Sequence, residues 1–374
     1  MEGVNLKYNV TAEVLTPLSI GQGSEKDWVE GIDYVVKNGM MYHLDLSKMY
    51  AAGIDMEHVA NLFQKQDAKG VRLLIGEKLE QVSDFKMPMP CHSSNPIKTF
   101  FRNQLTNCPV LPGSSLKGAI RSVLFTYLRD NERDNASVFG SMKDGSDFMR
   151  FIRVGDFEFP ARSTELVNTK IYNLEQSQRA WRGAWKHGAH ETTSDFDERG
   201  FNTIYECLPV GVTTKGSIML AKHLFNLLLT QHITISHPDK KQQILSNSRE
   251  YLCRIINEHT KRYLEKELQF FKKYAEGKNS YYLTEEDEFL GSIPALLDTI
   301  ENLQPNECVI KLSAGAGFHS ITGDWQHNDY VSGVLDQKRN KDGAKPKSRK
   351  IAITQEGEDA FFDLMGFVKL TFED

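Results

Sequence analysis

In Leu111-Pro112-Gly113-Ser114-Ser115-Leu116-Lys117-Gly118-Ala119-Ile120-Arg121, a turn leads directly into the start of a helix. Pro112-Gly113 turns the chain, and Ser114 or Ser115 can act as the N-cap. Apolar residues then recur at helical spacing and predict one buried stripe: Leu116, Ala119, Ile120, Val123, Leu124, Tyr127 and Leu128. The first-turn N–H groups and the positive end of the helix dipole should therefore face outward and hold an anion such as phosphate.

Two cations accompany this helix start. Lys117 and Arg121 are four residues apart, which places them on one side of the helix, where they can reach an anion held by the amides. The alternative interpretation is a well-capped helix with two solvated cations. The spacing does not match the Walker pattern, since no Gly-Lys-Ser/Thr order is present, so a nucleoside triphosphatase is excluded.

The chain has 374 residues and a formal net charge of -5. This length predicts two domains. The order of predicted strands and helices divides them into 1–150 and 151–374, with a helical insertion at about 222–304 in the second. Strands separated by helices in both halves predict an α+β fold. The negative charge argues against a generally basic nucleic-acid-binding protein, but it leaves room for a local basic patch.

Cysteine usage and apolar patterning indicate the compartment. The five cysteines never form a Cys-x-x-Cys pair and are odd in number, so we expect free thiols rather than a disulfide framework or a zinc knuckle. The N-terminus has no basic-then-apolar signal, and no apolar run approaches the roughly 20 residues of a membrane helix. We therefore expect a cytoplasmic protein without membrane association.

The periodicity predicts the order of elements. A strand is expected over residues 6–14, a β-hairpin over 34–44 around Asn38-Gly39, helices over 47–82 and a connecting loop over 83–108. Strands are expected again within 148–220, with an irregular segment at 176–202. Helices follow over 239–276 and 285–303, and strands at 308–312 and 366–372.

A second informative loop, Leu312-Ser313-Ala314-Gly315-Ala316-Gly317-Phe318-His319-Ser320, follows a predicted strand. Its small residues let successive N–H groups face a phosphate, while Phe318 can stack and His319 can donate a hydrogen bond. The alternative is a glycine-bearing turn with a packed phenylalanine. The pattern is not a dinucleotide-binding fingerprint, because no helix-opening glycine pair follows.

A dense cationic stretch occupies residues 337–350, where Pro and Gly exclude a core element. Such loops hold phosphate backbones without reading sequence, and a solvated loop without ligand is the alternative. A further segment, Arg179 to His190, interleaves tryptophans with cations. Trp181 and Trp185 can stack on bases, although tryptophans four apart more often pack on a helix face.

Catalytic signals are weak. His319 is the one histidine in a suggestive loop, where it suits general-base cleavage of RNA without a metal, but no partner acid is evident. The acidic residues form no recognisable metal-binding cluster, and we expect neither a metal nor another cofactor.

Four segments together resemble the RAMP proteins of CRISPR systems, and in their order they are most similar to the fifth Csm subunits of type III-A effector complexes. They are Ser19-Ile20-Gly21-Gln22-Gly23, residues 111–121, Ile152-Arg153-Val154-Gly155-Asp156, and Leu312 to Gly317. The resemblance spans nearly the whole chain. It implies two tandem ferredoxin-like (RRM-like) domains and a non-catalytic subunit that caps the 3′ portion of the guide RNA and supports its maturation.

The partners implied are CRISPR guide RNA, other Csm subunits, especially the backbone RAMP subunit, and host trimming nucleases. The predicted RNA-binding residues are Gly21, Gly23, Gly113, Ser114, Ser115, Lys117, Arg121, Gly315, Ala316, Gly317, Phe318, His319, Lys338, Arg339, Lys345, Lys347 and Arg349. One alternative is a Cas6-like metal-independent endoribonuclease that uses His319. Another is a different type III RAMP subunit that cleaves target RNA with magnesium and an acidic loop residue.

Overall fold

The chain folds as a mixed α+β protein, which confirms the predicted class. A computed structural model describes residues 5–93, 95–129, 135–177, 180–188, 191–193, 196, 199–231, 233–246, 248–274, 288–312, 348–356 and 359–373. The strands in these residues are β1 (Leu6–Val14), β2 (Tyr34–Lys37), β3 (Met40–Leu44), β4 (Ser83–Pro88), β5 (Val110–Leu111), β6 (Ile152–Val154), β7 (Phe157–Glu158), β8 (Glu165–Ser177), β9 (Ala180–Lys186), β10 (Thr192–Thr193), β11 (Thr203–Cys207), β12 (Thr213–Leu220), β13 (Glu307–Lys311), β14 (Ser348–Glu356), β15 (Asp359–Asp363) and β16 (Phe367–Glu373). The α-helices are α1 (Leu46–Ala51), α2 (Met56–Gln64), α3 (Ala68–Ile75), α4 (Leu79–Val82), α5 (Gly113–Leu128), α6 (Asn135–Phe139), α7 (Lys222–Leu229), α8 (Pro238–Ser246), α9 (Ser248–Tyr274) and α10 (Glu288–Glu301).

The first sheet is antiparallel and has the strand order β13-β16-β1-β12-β6. Along the chain β1, α5, β6, β12, α9 and β16 form the β-α-β-β-α-β succession of a ferredoxin-like unit, and β13 extends one edge. Val10, Ala12 and Val14 of β1 are buried, while alternate residues face away from the helices. The sheet therefore presents one apolar face to α5 and α9.

The strand pairing corrects the predicted domain border near residue 150. β1 comes from the predicted domain 1–150, yet it lies between β12 and β16, which come from the predicted domain 151–374. The largest core likewise joins residues from Val10 to Phe372. Hydrogen bonds between strands so far apart in sequence leave no local signal, so length and the order of predicted elements could not indicate this pairing.

The second sheet has the order β10-β9-β8-β14-β15, and β11 pairs with the first half of β8. This sheet corrects the prediction that residues 176–202 are irregular, because β9 and β10 lie there. Residues 176–202 are mostly polar and contain glycine, and the strand conformation of β9 depends on pairing with β8. The helices predicted over about 222–304 are present as α7 to α10.

A smaller antiparallel sheet, β2-β3-β4, carries its own helices. The β2–β3 turn has Asn38 at φ 53° and Gly39 at φ 72°, the positive angles that a tight hairpin turn needs, which confirms the predicted hairpin. Helices α1 to α4 confirm the helical prediction for 47–82 and bury Met49, Val71 and other apolar residues against the sheet. Residues 83–88 were predicted as loop but form β4.

Helix α9 connects the two main cores. Its first half buries Leu252 and Ile256 in the core under the first sheet, and its second half buries Leu264 and Phe271 under the second sheet. Asn257 fixes the helix to β13, because its side-chain amide donates to the carbonyl of Glu307 at 2.9 Å while its oxygen accepts from another β13 amide. The two sheets are therefore packed on one continuous helix.

The five cysteines are free thiols, as predicted. None of the helices in the described ranges combines the length and hydropathy of a membrane span. In the same ranges, no three His, Cys, Asp or Glu side chains cluster closely enough to hold a metal ion.

Candidate nucleic-acid interface

The predicted helix start is present as α5, but its cap differs from the prediction. The helix begins at Gly113, Pro112 is the N-cap, and no side chain caps it from the N-cap position. Ser114 and Ser115 lie inside the first turn, where Ser114 is exposed and Ser115 half-buried. The N–H of Ser115 donates to the Pro112 carbonyl at 2.9 Å, so neither serine is the predicted N-cap.

A carboxylate from a distant loop occupies the end of α5. The N–H of Gly113 donates to Oδ1 of Asp156 at 2.7 Å, which places a negative charge at the positive end of the helix dipole. Gly113 itself is buried against the β6–β7 connection: a Cβ built on it would lie 2.3 Å from the Val154 carbonyl oxygen. This corrects the prediction that Gly113 and its amide contact phosphate, because close backbone packing and Asp156 already use them.

Lys117 and Arg121 lie one turn apart on α5, and Arg153 lies on β6, which packs against that helix; we call these three residues the cationic patch. Arg121 and Arg153 are exposed and Lys117 is half-buried. Burial lowers the pKa of Lys117, and the nearby charges of Arg153 and Arg121 lower it further, against the opposing effect of Asp147. Arg121 and Arg153 therefore both lie within electrostatic range of Lys117.

Arg153 was not among the predicted site residues. It lies on β6, at the edge of the first sheet, and pairs across the sheet with Met219 of β12. The segment Ile152 to Asp156 was recognised in the sequence, but the spacing gives no indication that its arginine lies beside Lys117. Only the contact between α5 and β6 brings the two together.

The first glycine loop lies at an open groove. Gly21 and Gly23 are both exposed, and Gly23 has φ 108°, which side chains rarely adopt. Gln22 between them lines a groove of about 1890 Å³, whose other walls include Arg102, Asp156 and Arg162. Asp156 therefore links the capped end of α5 to the groove that begins at the glycine loop, and a role of Gly21 and Gly23 in RNA binding stays a prediction.

Arg349 was predicted to bind phosphate as part of the cationic stretch 337–350, and its position corrects that prediction. It lies in β14 and is 4% exposed. Its guanidinium donates to both carboxylate oxygens of the fully buried Glu267, at 3.0 and 3.1 Å. A bidentate ion pair in the protein interior leaves this side chain no access to RNA.

Trp185 was one of two tryptophans considered for base stacking. It lies on strand β9, not on a helix, and is 1% exposed in the core under the second sheet. Tyr172, Phe196 and Phe362 surround its ring. Base stacking on Trp185 is thus excluded, and the side chain is a core residue.

The remaining predicted residues lie outside the described ranges. They are Gly315, Ala316, Gly317, Phe318, His319, Lys338, Arg339, Lys345 and Lys347. Their roles stay predictions.

A protein-family model for the RAMP superfamily matches residues 11–317. The chain belongs to the RAMP superfamily. The match includes all four segments on which the resemblance was based, so the family inferred from them is confirmed. No curated protein matches this RAMP protein in sequence.

Two solved structures share the fold of this RAMP protein. One is a chain of a Csm-crRNA-target RNA ternary complex of a type III-A CRISPR-Cas system, with a TM-score of 0.66, 17% identity, and coverage of 98% of this chain and 100% of that chain. The other is Csm5 of T. onnurineus, with a TM-score of 0.56, 16% identity, and coverage of 82% and 90%. At such identities the likeness establishes a common fold.

Proposed function

We propose that this RAMP protein is a guide-RNA-binding subunit of a type III-A Csm effector complex in the cytoplasm. In this proposal it caps the 3′ portion of the guide and supports its maturation in antiviral defence. The observation that carries the proposal is the cationic patch at the start of α5, within a fold shared with a chain of an RNA-bound Csm complex.

The patch suits an RNA backbone better than a base sequence. Lysine and arginine side chains at the surface neutralise phosphates, and such contacts position RNA without reading it. Asp156 neutralises the helix end, so the side-chain cations rather than the amides supply the attraction. With a net charge of -5 the protein as a whole does not attract RNA, so the attraction has to come from a local group of cations such as this patch.

Removing two exposed charges tests the patch. Guide RNA binding by the double variant Arg121→Ala, Arg153→Ala should weaken to a similar extent for unrelated spacer sequences, and the salt dependence of log K should become shallower by about two units of slope. The matched control is Lys65→Ala, Lys69→Ala, which removes two exposed charges from the β2-β3-β4 subdomain. Equal losses in both variants, or a sequence-selective loss, would contradict phosphate binding by the patch.

We further propose that the chain binds guide RNA without cutting it. Labelled repeat RNA incubated with the protein in chelator should stay intact, and complementary target RNA should stay intact with magnesium. Defined cuts in chelator that disappear with His319→Ala would instead establish a metal-independent endoribonuclease. Magnesium-dependent cuts in the target would establish a cleaving RAMP subunit.

The proposed partners are the other Csm subunits, especially the backbone RAMP subunit, and host nucleases that trim the guide. Co-expression of the neighbouring complex genes with and without this chain tests the assignment. Guides that are lengthened or lost at the 3′ end only when the chain is missing support a cap. Unchanged guides and an intact complex would contradict it.

A further inference from the structure

Three aromatic rings cluster on one wall of the groove that begins at the first glycine loop. The rings of His43 and Phe85 stack with centroids 4.7 Å apart and an interplanar angle of 10°. The Trp28 ring lies 5.1 Å from His43 and 5.6 Å from Phe85. All three side chains are half-buried and line the groove.

The backbone holds this aromatic cluster in place. His43 of β3 and Phe85 of β4 are paired across two strands, so their rings project from the same face. Trp28 exchanges two backbone hydrogen bonds with Ile97, at 2.9 and 3.0 Å. Trp28 and Phe85 pack on one side against a small core that includes Met87, so the rings are ordered before any ligand arrives.

Two cations of the groove, Lys26 and Arg162, can contact phosphate. Six carboxylates and five lysine or arginine side chains are among the residues that line the groove. Asp27 pairs with Lys98 at 2.5 Å, Asp84 pairs with Lys48 at 3.2 Å, and Asp156 caps α5. Lys26 and Arg162, in contrast, are exposed and have no carboxylate partner among the described residues. Two uncompensated cations beside an ordered ring cluster are the combination found in single-stranded nucleic-acid sites.

The backbone at Arg162 adds an independent indication. Arg162 has φ 61°, a left-handed conformation that costs an arginine energy and is enriched at ligand sites. Arg162 contributes an exposed cation to the lining of the groove that also contains the aromatic cluster. The lining of the groove thus combines aromatic rings with an exposed positive charge.

We propose that the aromatic cluster of Trp28, His43 and Phe85 is a stacking site for an unpaired RNA base, with Lys26 and Arg162 contacting the adjoining phosphates. The proposal rests on the proposed RNA-binding function and adds a second contact region to it. Burial lowers the pKa of His43 and keeps its imidazole neutral near pH 7, so the ring acts as a stacking surface rather than as a charge.

Photocrosslinking tests the site directly. A short single-stranded oligonucleotide carrying 5-iodouridine should crosslink to Trp28 or Phe85, and the crosslinked peptide should be found by mass spectrometry. The same oligonucleotide annealed to its complement should not crosslink there, because its bases are already stacked and paired. Crosslinks that map elsewhere on the chain would overturn the site.

Substitutions complete the test. Trp28→Leu and Phe85→Leu keep an apolar side chain but remove the ring, and each should weaken single-stranded RNA binding about tenfold. Tyr50→Leu on α1 is the matched control, since this ring is 75% exposed and outside the groove. If both variants fold, bind RNA like the control and instead lose a co-purifying protein subunit, the groove is a protein contact and the proposal fails. That outcome leaves the proposed RNA binding by the cationic patch intact, so the two proposals fail separately.

Discussion

At the scale of single residues, close packing rather than ligand contact explains the first glycine of the segment 111–121. A methyl group on Gly113 would lie within 2.3 Å of the Val154 carbonyl and 2.7 Å of the Gly155 carbonyl. Gly113→Ala should therefore push α5 away from β6 and lower the free energy of unfolding by about 1–3 kcal/mol. Denaturant unfolding measures the loss.

Gly21→Ala is the matched control for that substitution. A Cβ at Gly21 meets no atom within 4 Å, and its φ is not in the left-handed region, so stability should hardly change. An equally stable Gly113→Ala variant would contradict the packing argument.

Lys311 gives the stability of the protein a pH dependence. Burial lowers the pKa of this lysine to about 7 from 10.5, although its ammonium donates to the Met365 carbonyl and lies near Glu267. The unfolded chain therefore binds more protons than the folded chain between about pH 7 and 10.5. In that window the free energy of unfolding rises with pH, by at most about 1.4 kcal/mol per unit from this group.

Comparing Lys311→Met with the parent between pH 7 and 9.5 isolates this contribution. The parent should gain stability with pH more steeply than the variant, while Lys7→Met at an exposed position should leave the slope unchanged. Identical slopes in the parent and Lys311→Met would contradict a neutral buried amine. Below pH 7 the lysine is charged in both states and adds no slope.

Sequence reasoning at this scale located Lys117 and Arg121 but missed their neighbours. The periodicity of α5 fixes which side of the helix those cations occupy. It contains no information on Arg153 or Asp156, whose positions depend on how β6 packs against the helix. The predicted serine cap failed for the same reason, because the carboxylate that caps α5 comes from 43 residues further along the chain.

At the scale of elements, Asp156 stabilises α5 and at the same time opposes anion binding. Asp156→Asn keeps an oxygen acceptor for the Gly113 N–H but removes the negative charge from the positive end of the α5 dipole. RNA binding should tighten by roughly twofold to tenfold at low salt, with little change in stability. Filter binding at two salt concentrations checks this.

Asp156→Ala separates the two effects. It removes charge and acceptor together, so it should also lower stability by about 1 kcal/mol. If Asp156→Asn weakened RNA binding, the carboxylate would itself belong to the binding site.

Strand β14 is tied to helix α9 by the Arg349–Glu267 pair. Glu267→Ala leaves a buried guanidinium without its carboxylate and should cost about 3–5 kcal/mol, measured by chemical denaturation. Replacing both partners with apolar residues, Glu267→Leu with Arg349→Met, should recover much of the loss. Lys261→Ala breaks the exposed Lys261–Glu301 pair and should change little.

The elements that were predicted correctly are those with a strong local signal. The β2–β3 hairpin follows from Asn38-Gly39 between two short apolar runs, and α5 and α9 follow from their 3.6-residue period. β9 carries no such signal. Its tryptophan spacing fits a helix as well as a strand, and the pairing with β8 decides between them.

At the scale of the whole molecule, the first sheet requires both halves of the chain. β1 pairs with β12 through Val10 and Gly216 and with β16 through Val10 and Phe372. Fragments 1–150 and 151–374 should therefore fail to fold when expressed separately and should form a stable complex when co-expressed. Circular dichroism and size-exclusion chromatography check this.

The result also tests the domain border that the sequence suggested. Two tandem domains would give two independently folded fragments, and that outcome would contradict a shared sheet. Length and composition could not reveal the pairing of residues 9–14 with 368–373, because register between distant strands is set only when the chain has collapsed.

Helix α9 has a mechanical consequence for the molecule. Its 27 residues measure about 40 Å, so a single helix packs against both the first and the second sheet. We expect the first and second sheets to unfold together on heating, because unfolding of either sheet would expose apolar side chains of the helix on which the other sheet packs. In differential scanning calorimetry, these two sheets should therefore unfold in a single endotherm.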